Sequence, residues 1–188
     1  MWMASAKDLI TIFVSLELAT IGFYVLVSFM RRNVGSLEAG VKYLILGALS
    51  TGFFVYGIAW MFGSTGTFEL NEIKEVIDSG AVERAPVIFA IALIIVGLGF
   101  KIAAVPFHIW VPDVYQGTSM PVTAYLSVAS KAAGFIVLLR VVEPFLQSQM
   151  TSGACILLFS VLASLTLIFG NLAAIKQTNV KRLLAYSS

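Results

Sequence analysis

Three charged side chains stand where a lipid bilayer would make charge expensive. Glu17 is the ninth of 22 residues in the apolar run Leu9–Met30, Lys101 the seventeenth of 28 in Ala85–Pro112, and Lys131 the thirteenth of 21 in Ser119–Leu139. Near the centre of a membrane helix each costs roughly 2.5–3.5 kcal/mol. One such residue could snorkel to the interface; three within 188 residues, two of one sign and one of the other, point to chemistry. A carboxylate and two ammonium groups can hold protons and exchange them. The alternative is a helix–helix clamp between Glu17 and one lysine, which leaves the other lysine unpaired. His108, the single histidine, could relay protons because imidazole titrates near neutrality; a hydrogen-bonding structural role fits its position equally well.

The residues around these charges read as a hydrated interior. Thr20 and Tyr24 come after Glu17 on one helical face, and Thr123, Ser127, Ser130, Lys131 and Gly134 share another. Small and hydroxylated residues let helices approach closely and offer sites for ordered water, although ordinary small-residue packing gives the same pattern. Pro106 removes a backbone donor and clashes with the carbonyl four residues earlier, so the helix carrying Lys101 should kink or break just after it. Non-helical backbone at membrane depth survives only where protein or a water-filled cavity satisfies it, and broken helices with nearby charges mark ion pathways in transporters. Trp110 and Tyr115 read as interface anchors. Asp113 reads as a cap for the next turn.

The elements that must carry these charges are strongly apolar: 59% of the residues are hydrophobic, 12% are charged and the mean hydropathy is +0.95. That composition excludes a soluble domain, a disordered chain and a nucleic-acid binder with a basic face. Cys155 is the one cysteine, so an intrachain disulfide, a four-thiolate zinc site and a cysteine-ligated iron–sulfur cluster are excluded as well. The pattern predicts an all-α polytopic membrane protein: a bundle of five transmembrane helices, one of them broken by proline. The expected helices cover about 8–30, 40–63, 85–112 (broken near 106), 119–143 and 152–175, in a single transmembrane region over 1–188. Lys7 and Asp8 precede an apolar run too long for a signal peptide. Both ends look cut, as in a piece of a longer protein. Arg31, Arg32, Lys176, Lys181 and Arg182 hold five of the 12 basic residues, whereas Ser64–Arg84 carries five acids. The positive-inside rule places the basic connections in the cytoplasm and the acidic one outside. Within the latter, 68–79 spaces Ile73, Val76 and Ile77 opposite Glu72, Glu75 and Asp78, an amphipathic segment best read as a packing cap.

The stretch Val105-Pro-Phe-His-Ile-Trp-Val-Pro-Asp-Val-Tyr-Gln-Gly117, with Pro121-Val-Thr-Ala and Ser130-Lys-Ala-Ala-Gly-Phe135 after it, resembles the antiporter-like membrane subunits of respiratory complex I. Ser36-Leu-Glu-Ala-Gly-Val-Lys-Tyr43 and the stretch from Gly170 to Ser188 narrow the resemblance to the subunit N group of proton-pumping NADH:quinone oxidoreductases. One departure is Thr118-Ser119-Met120 before Pro121, where that group often has Ala-Pro and another residue. The resemblance implies a fourteen-helix antiporter-like fold with inverted repeats, of which this chain would carry the fifth to ninth helices. It also implies that Glu17, Lys101 and Lys131 are the charged groups of a proton path and that His108 lies beside the break. By the same resemblance, NADH, FMN, iron–sulfur clusters and quinone are used by other subunits, and no cofactor binds here. No Gly-rich dinucleotide fingerprint contradicts that. The implied partners are the other membrane-arm subunits and the lipid of a bacterial inner membrane; the transported ion is the proton. A subunit of a multisubunit sodium/proton antiporter and a structural helix scaffold are the competing readings.

Overall fold

The computed structural model describes residues 5–188. Asp8, extended, starts the first helix, α1 (Leu9–Val27), by accepting the Thr11 amide at 2.7 Å. Asn33 caps α2 (Val34–Thr65) in the same way through Gly35, and Gly66, left-handed at φ 77°, ends it. A short helix, α3 (Leu70–Asp78), lies across one end of the bundle with Ile73 and Ile77 buried. It is stitched in place by backbone bonds between Leu70 and Lys7 and between Leu9 and Phe68. After it come α4 (Arg84–Ile102), α5 (Trp110–Gly117), α6 (Met120–Gln147, with a π turn at Leu126–Ser130), α7 (Ser152–Ile175) and α8 (Val180–Ser187). Five of these, α1, α2, α4, α6 and α7, are long and apolar enough to cross a membrane. The protein is an integral, multi-pass membrane protein of all-helical architecture.

Helices α2 and α4 form the tightest seam. A Cβ at Gly57 would come within 2.9 Å of the Ile94 backbone nitrogen and 3.0 Å of the Ala90 carbonyl oxygen, so only glycine permits this approach. Two apolar clusters fill the bundle. One, built on Leu9, Ile12, Met61, Ile73, Leu98 and Val141, occupies the end carrying the acidic connection. The other is aromatic and lies toward the basic end, with Tyr43, Phe100, Trp110 and Tyr115 at its centre.

The broken helix departs from the expected range 85–112. It stops at Ile102, one residue after Lys101, because Pro106 can neither donate nor tolerate a helical carbonyl four residues behind it. Ala103 ends it in the left-handed region at φ 62°, a conformation that costs a non-glycine residue on the order of 1 kcal/mol. Its neighbour Ala104 closes the turn by donating to Gly99 O at 2.9 Å. Two of the backbone groups freed by the break find side chains: Val105 N–H donates to Thr166 Oγ1 of α7, and Trp110 Nε1 donates to Phe100 O. Helix α2 is also longer than the expected 40–63, reaching from Val34 to Thr65, and α6 runs on to Gln147.

Trp110 and Tyr115 are not interface anchors. They are 2% and 1% exposed. The break turns α5 into the bundle, and Trp110 stacks on Tyr43 with ring centroids 4.6 Å apart. Asp113 caps nothing; its carboxylate joins Lys42 of α2 at 2.8 Å and Arg182 of α8 at 2.6 Å.

Candidate functional site

Glu17 sits mid-way along α1, and Lys101 in the last turn of α4, where the break ends the helix. The lysine Nζ lies 3.5 Å from Glu17 Oε1, and both side chains are largely withdrawn from solvent. Two threonines complete the pair. Lys101 Nζ donates to Thr20 Oγ1 at 2.6 Å, and Thr20 in turn donates to the Leu16 carbonyl. Thr51 of α2 donates to Glu17 Oε1 at 2.9 Å. Each charge therefore has a hydroxyl besides its opposite charge, which is what a pair in a low-dielectric setting needs. Lys101 lines a cavity of about 120 Å³ together with Thr20, Tyr125, Ser130 and Gly134.

Lys131 comes directly after the π turn, a type of insertion often found at functional positions. It is 6% exposed and borders a different cavity, of about 450 Å³, between the break, α6, α7 and α8. His108, Thr166, Tyr186 and Ser188 line the same space. The hydroxyl of Ser188 is 2.7 Å from Lys131 Nζ, and the Tyr115 ring centroid is 6.0 Å away. Among the described residues no carboxylate comes within ion-pairing distance of Lys131. The two lysines stand on helices in close contact: a Cβ at Gly134, three residues after Lys131, would lie 3.7 Å from the Lys101 Cβ.

The hydroxylated face expected along 123–134 does not hold together. Thr123 donates to the Tyr115 and Ser119 carbonyls, and Ser127 bonds back to Ala124 on the outside. The π turn rotates the remainder of α6, so only Ser130, Lys131 and Gly134 reach the cavities. Of the residues expected beside Glu17, Thr20 touches Lys101, whereas Tyr24 packs edge-on against Tyr43 with centroids 5.0 Å apart. Thr51 is a site residue that sequence reasoning missed; its signal was a hydroxyl within the uncharged run 43–63.

At the basic end, Lys181 of α8 donates to the Thr118 carbonyl that ends α5, and Arg182 reaches Gln116 as well as Asp113. The Lys42 hydrogen bond, aided by Arg182, holds the Asp113 carboxyl below the usual carboxylate range against the opposing effect of burial.

Residues 6–188 match the family described as NADH:quinone oxidoreductase/Mrp antiporter, TM. The chain is 48% identical over 190 residues to NADH-quinone oxidoreductase subunit N of Desulforamulus reducens, covering 99% of this chain and 38% of the relative. Its structure superposes on a chain of respiratory complex I from Thermus thermophilus with a TM-score of 0.82 at 39% identity, over 99% of this chain and 39% of that one. A chain of the membrane-bound sulfane sulfur reductase, an archaeal respiratory membrane complex, gives a TM-score of 0.87 at 31% identity, over 99% and 37%. This chain spans about 38% of the length of the curated relatives it matches. With nearly every residue inside the family match and the broken helix and buried charges set in one bundle, the chain belongs to the membrane family shared by NADH:quinone oxidoreductases and Mrp antiporters.

Proposed function

We propose that the chain is part of subunit N of a proton-translocating NADH:quinone oxidoreductase, and that it moves protons through Glu17, Lys101 and Lys131 with His108 beside the path. Quinone reduction elsewhere in the complex drives it. NADH, FMN, iron–sulfur clusters and quinone belong to other subunits, and the remaining membrane-arm subunits are its partners. The observation that carries this reading is the buried Glu17–Lys101 pair, 3.5 Å apart, on a helix packed against the one that holds Lys131.

Glu17 opposes the Lys101 ammonium and so retains its proton. Withdrawing or neutralising the carboxylate releases that proton toward Lys131 through water in the cavities. Moving one charge across the membrane involves about 2.3 kcal/mol per 100 mV, and one unit of proton affinity is about 1.4 kcal/mol. Rearrangements worth a few such units therefore suffice. Lys131 hands the proton onward by way of the space it shares with His108.

The test is proton pumping by the full-length complex in vesicles carrying Lys101→Ala, measured beside its NADH:quinone electron transfer. Loss of pumping by an assembled complex is expected. Wild-type pumping would make the lysine structural and end this reading. Since the matched family includes Mrp antiporters, the same vesicles are assayed with and without sodium; transport that requires sodium would favour the antiporter subunit.

A further inference from the structure

Among the described residues, Lys131 is a buried cation that lacks a carboxylate, and the groups facing it are few. From α4 comes Lys101, whose stem lies against Gly134. From the break comes His108, and from α8 Tyr186 and Ser188. Helix α7 offers Thr166 alone among polar side chains of that cavity. On α5, Asp113 is engaged by Lys42 and Arg182, and Lys181 is bound to the Thr118 carbonyl. What remains beside the ammonium is the Ser188 hydroxyl and the Tyr115 ring, whose centroid is 6.0 Å from Nζ.

An aromatic face carries negative charge density and attracts a cation within about 6 Å, more strongly where water is excluded. Tyr115 meets that condition because it is held. It is fully buried, Trp110 packs edge-on against it at 6.4 Å, and Asp113, two residues earlier, ties the same helix to α2 and α8. We propose that Tyr115 is a positioning residue that takes the place of a counter-ion for Lys131, its ring face holding the ammonium in the path. This rests on the transport function proposed above. The role is assigned to the ring, and Tyr115→Phe tests the phenol oxygen, which lies beside Ser188, separately.

The experiment separates ring charge from ring shape. Full-length complex is prepared with Tyr115→Phe, with Tyr115→Leu, and with trifluorophenylalanine in place of Tyr115. Pumping relative to electron transfer is measured in vesicles, with Lys131→Ala alongside. Phenylalanine should keep the ratio within about twofold of wild type. The fluorinated ring, nearly the same shape with its face depleted of negative charge, should lower it by roughly three- to tenfold, as leucine should. A fluorinated complex that pumps like the phenylalanine one, while Lys131→Ala does not pump, overturns the role of the ring alone. Wild-type pumping by Lys131→Ala overturns the transport reading itself and this proposal with it.

Discussion

Around Lys101 the support is a carboxylate at 3.5 Å and two threonine hydroxyls, contributed by α1 and α2. Around Lys131 it is a ring face, a serine hydroxyl and a larger cavity that also contains His108, contributed by α5, α8 and the break. The two sites lie on packed helices and each holds a lysine ammonium, yet their surroundings differ. A lysine facing a carboxylate answers to the position of that carboxylate, which one helix can move. Lys131 faces no carboxylate among the described residues, so in the proposed path its proton would answer to the hydration of the cavity. Coupling is therefore expected to enter at the Glu17 side and to be passed on at the Lys131 side.

The most severe way to break this contrast is Glu17→Ala, which leaves a buried ammonium without its partner. Removing one member of a buried pair costs about 3–5 kcal/mol of stability, so less complex should assemble, and what assembles should pump at least roughly a hundredfold more slowly, read against electron transfer in vesicles. Pumping at the wild-type rate would show that Lys101 needs no carboxylate and that the two sites are alike. A finer cut is Thr51→Val, which keeps the shape and removes the hydroxyl bonded to Glu17. A typical hydrogen bond contributes about 0.5–1.5 kcal/mol net, and a decrease of roughly threefold to tenfold is expected. No change would mean that Glu17 is set by Lys101 alone.

The smallest effect belongs to Asp113, which ties α5 to α2 and α8 outside the buried path. Its carboxyl is held low by Lys42 first and Arg182 second, so the stabilisation is present above the unfolded carboxylate value of about 3.9. It disappears as pH falls through the lower folded value. Asp113→Asn should lower the melting temperature in detergent by roughly 2–4 °C at neutral pH, since partly exposed pairs are individually weak. The gap from wild type should narrow toward pH 3. A gap that stayed constant with pH would show that the contact does not depend on charge.

Glu17, Lys101 and Lys131 were legible in the sequence because a charge inside an apolar run of twenty or more residues has few explanations. Pro106 announced the break, though not that Ala103 would end the helix. The rest was hidden for physical reasons. Thr51 looks like any small residue of a membrane helix until α1 brings Glu17 beside it. Trp110 and Tyr115 carry the composition of a membrane-surface belt, and only the break folds them inward. Asp113 meets partners 71 and 69 positions away in the chain, a separation that no local pattern encodes. The π turn shifts the register of α6 by one residue, so faces drawn on a regular helix from Thr123 to Gly134 do not survive it.

Because Asp113 is shared, neither of its two ion pairs can be reversed in charge without disturbing the other. Exchanging the charges at 113 and 182 would restore that pair but set a new cation against Lys42, 2.8 Å from where the carboxylate stood. A compensated change would have to alter three sites at once, on three helices. A step that reverses one charge alone sets like charges against each other, whereas a neutral replacement only gives up weak, partly exposed pairs. The fork thus opposes charge reversal at residues 42, 113 and 182 far more than it opposes a neutral replacement.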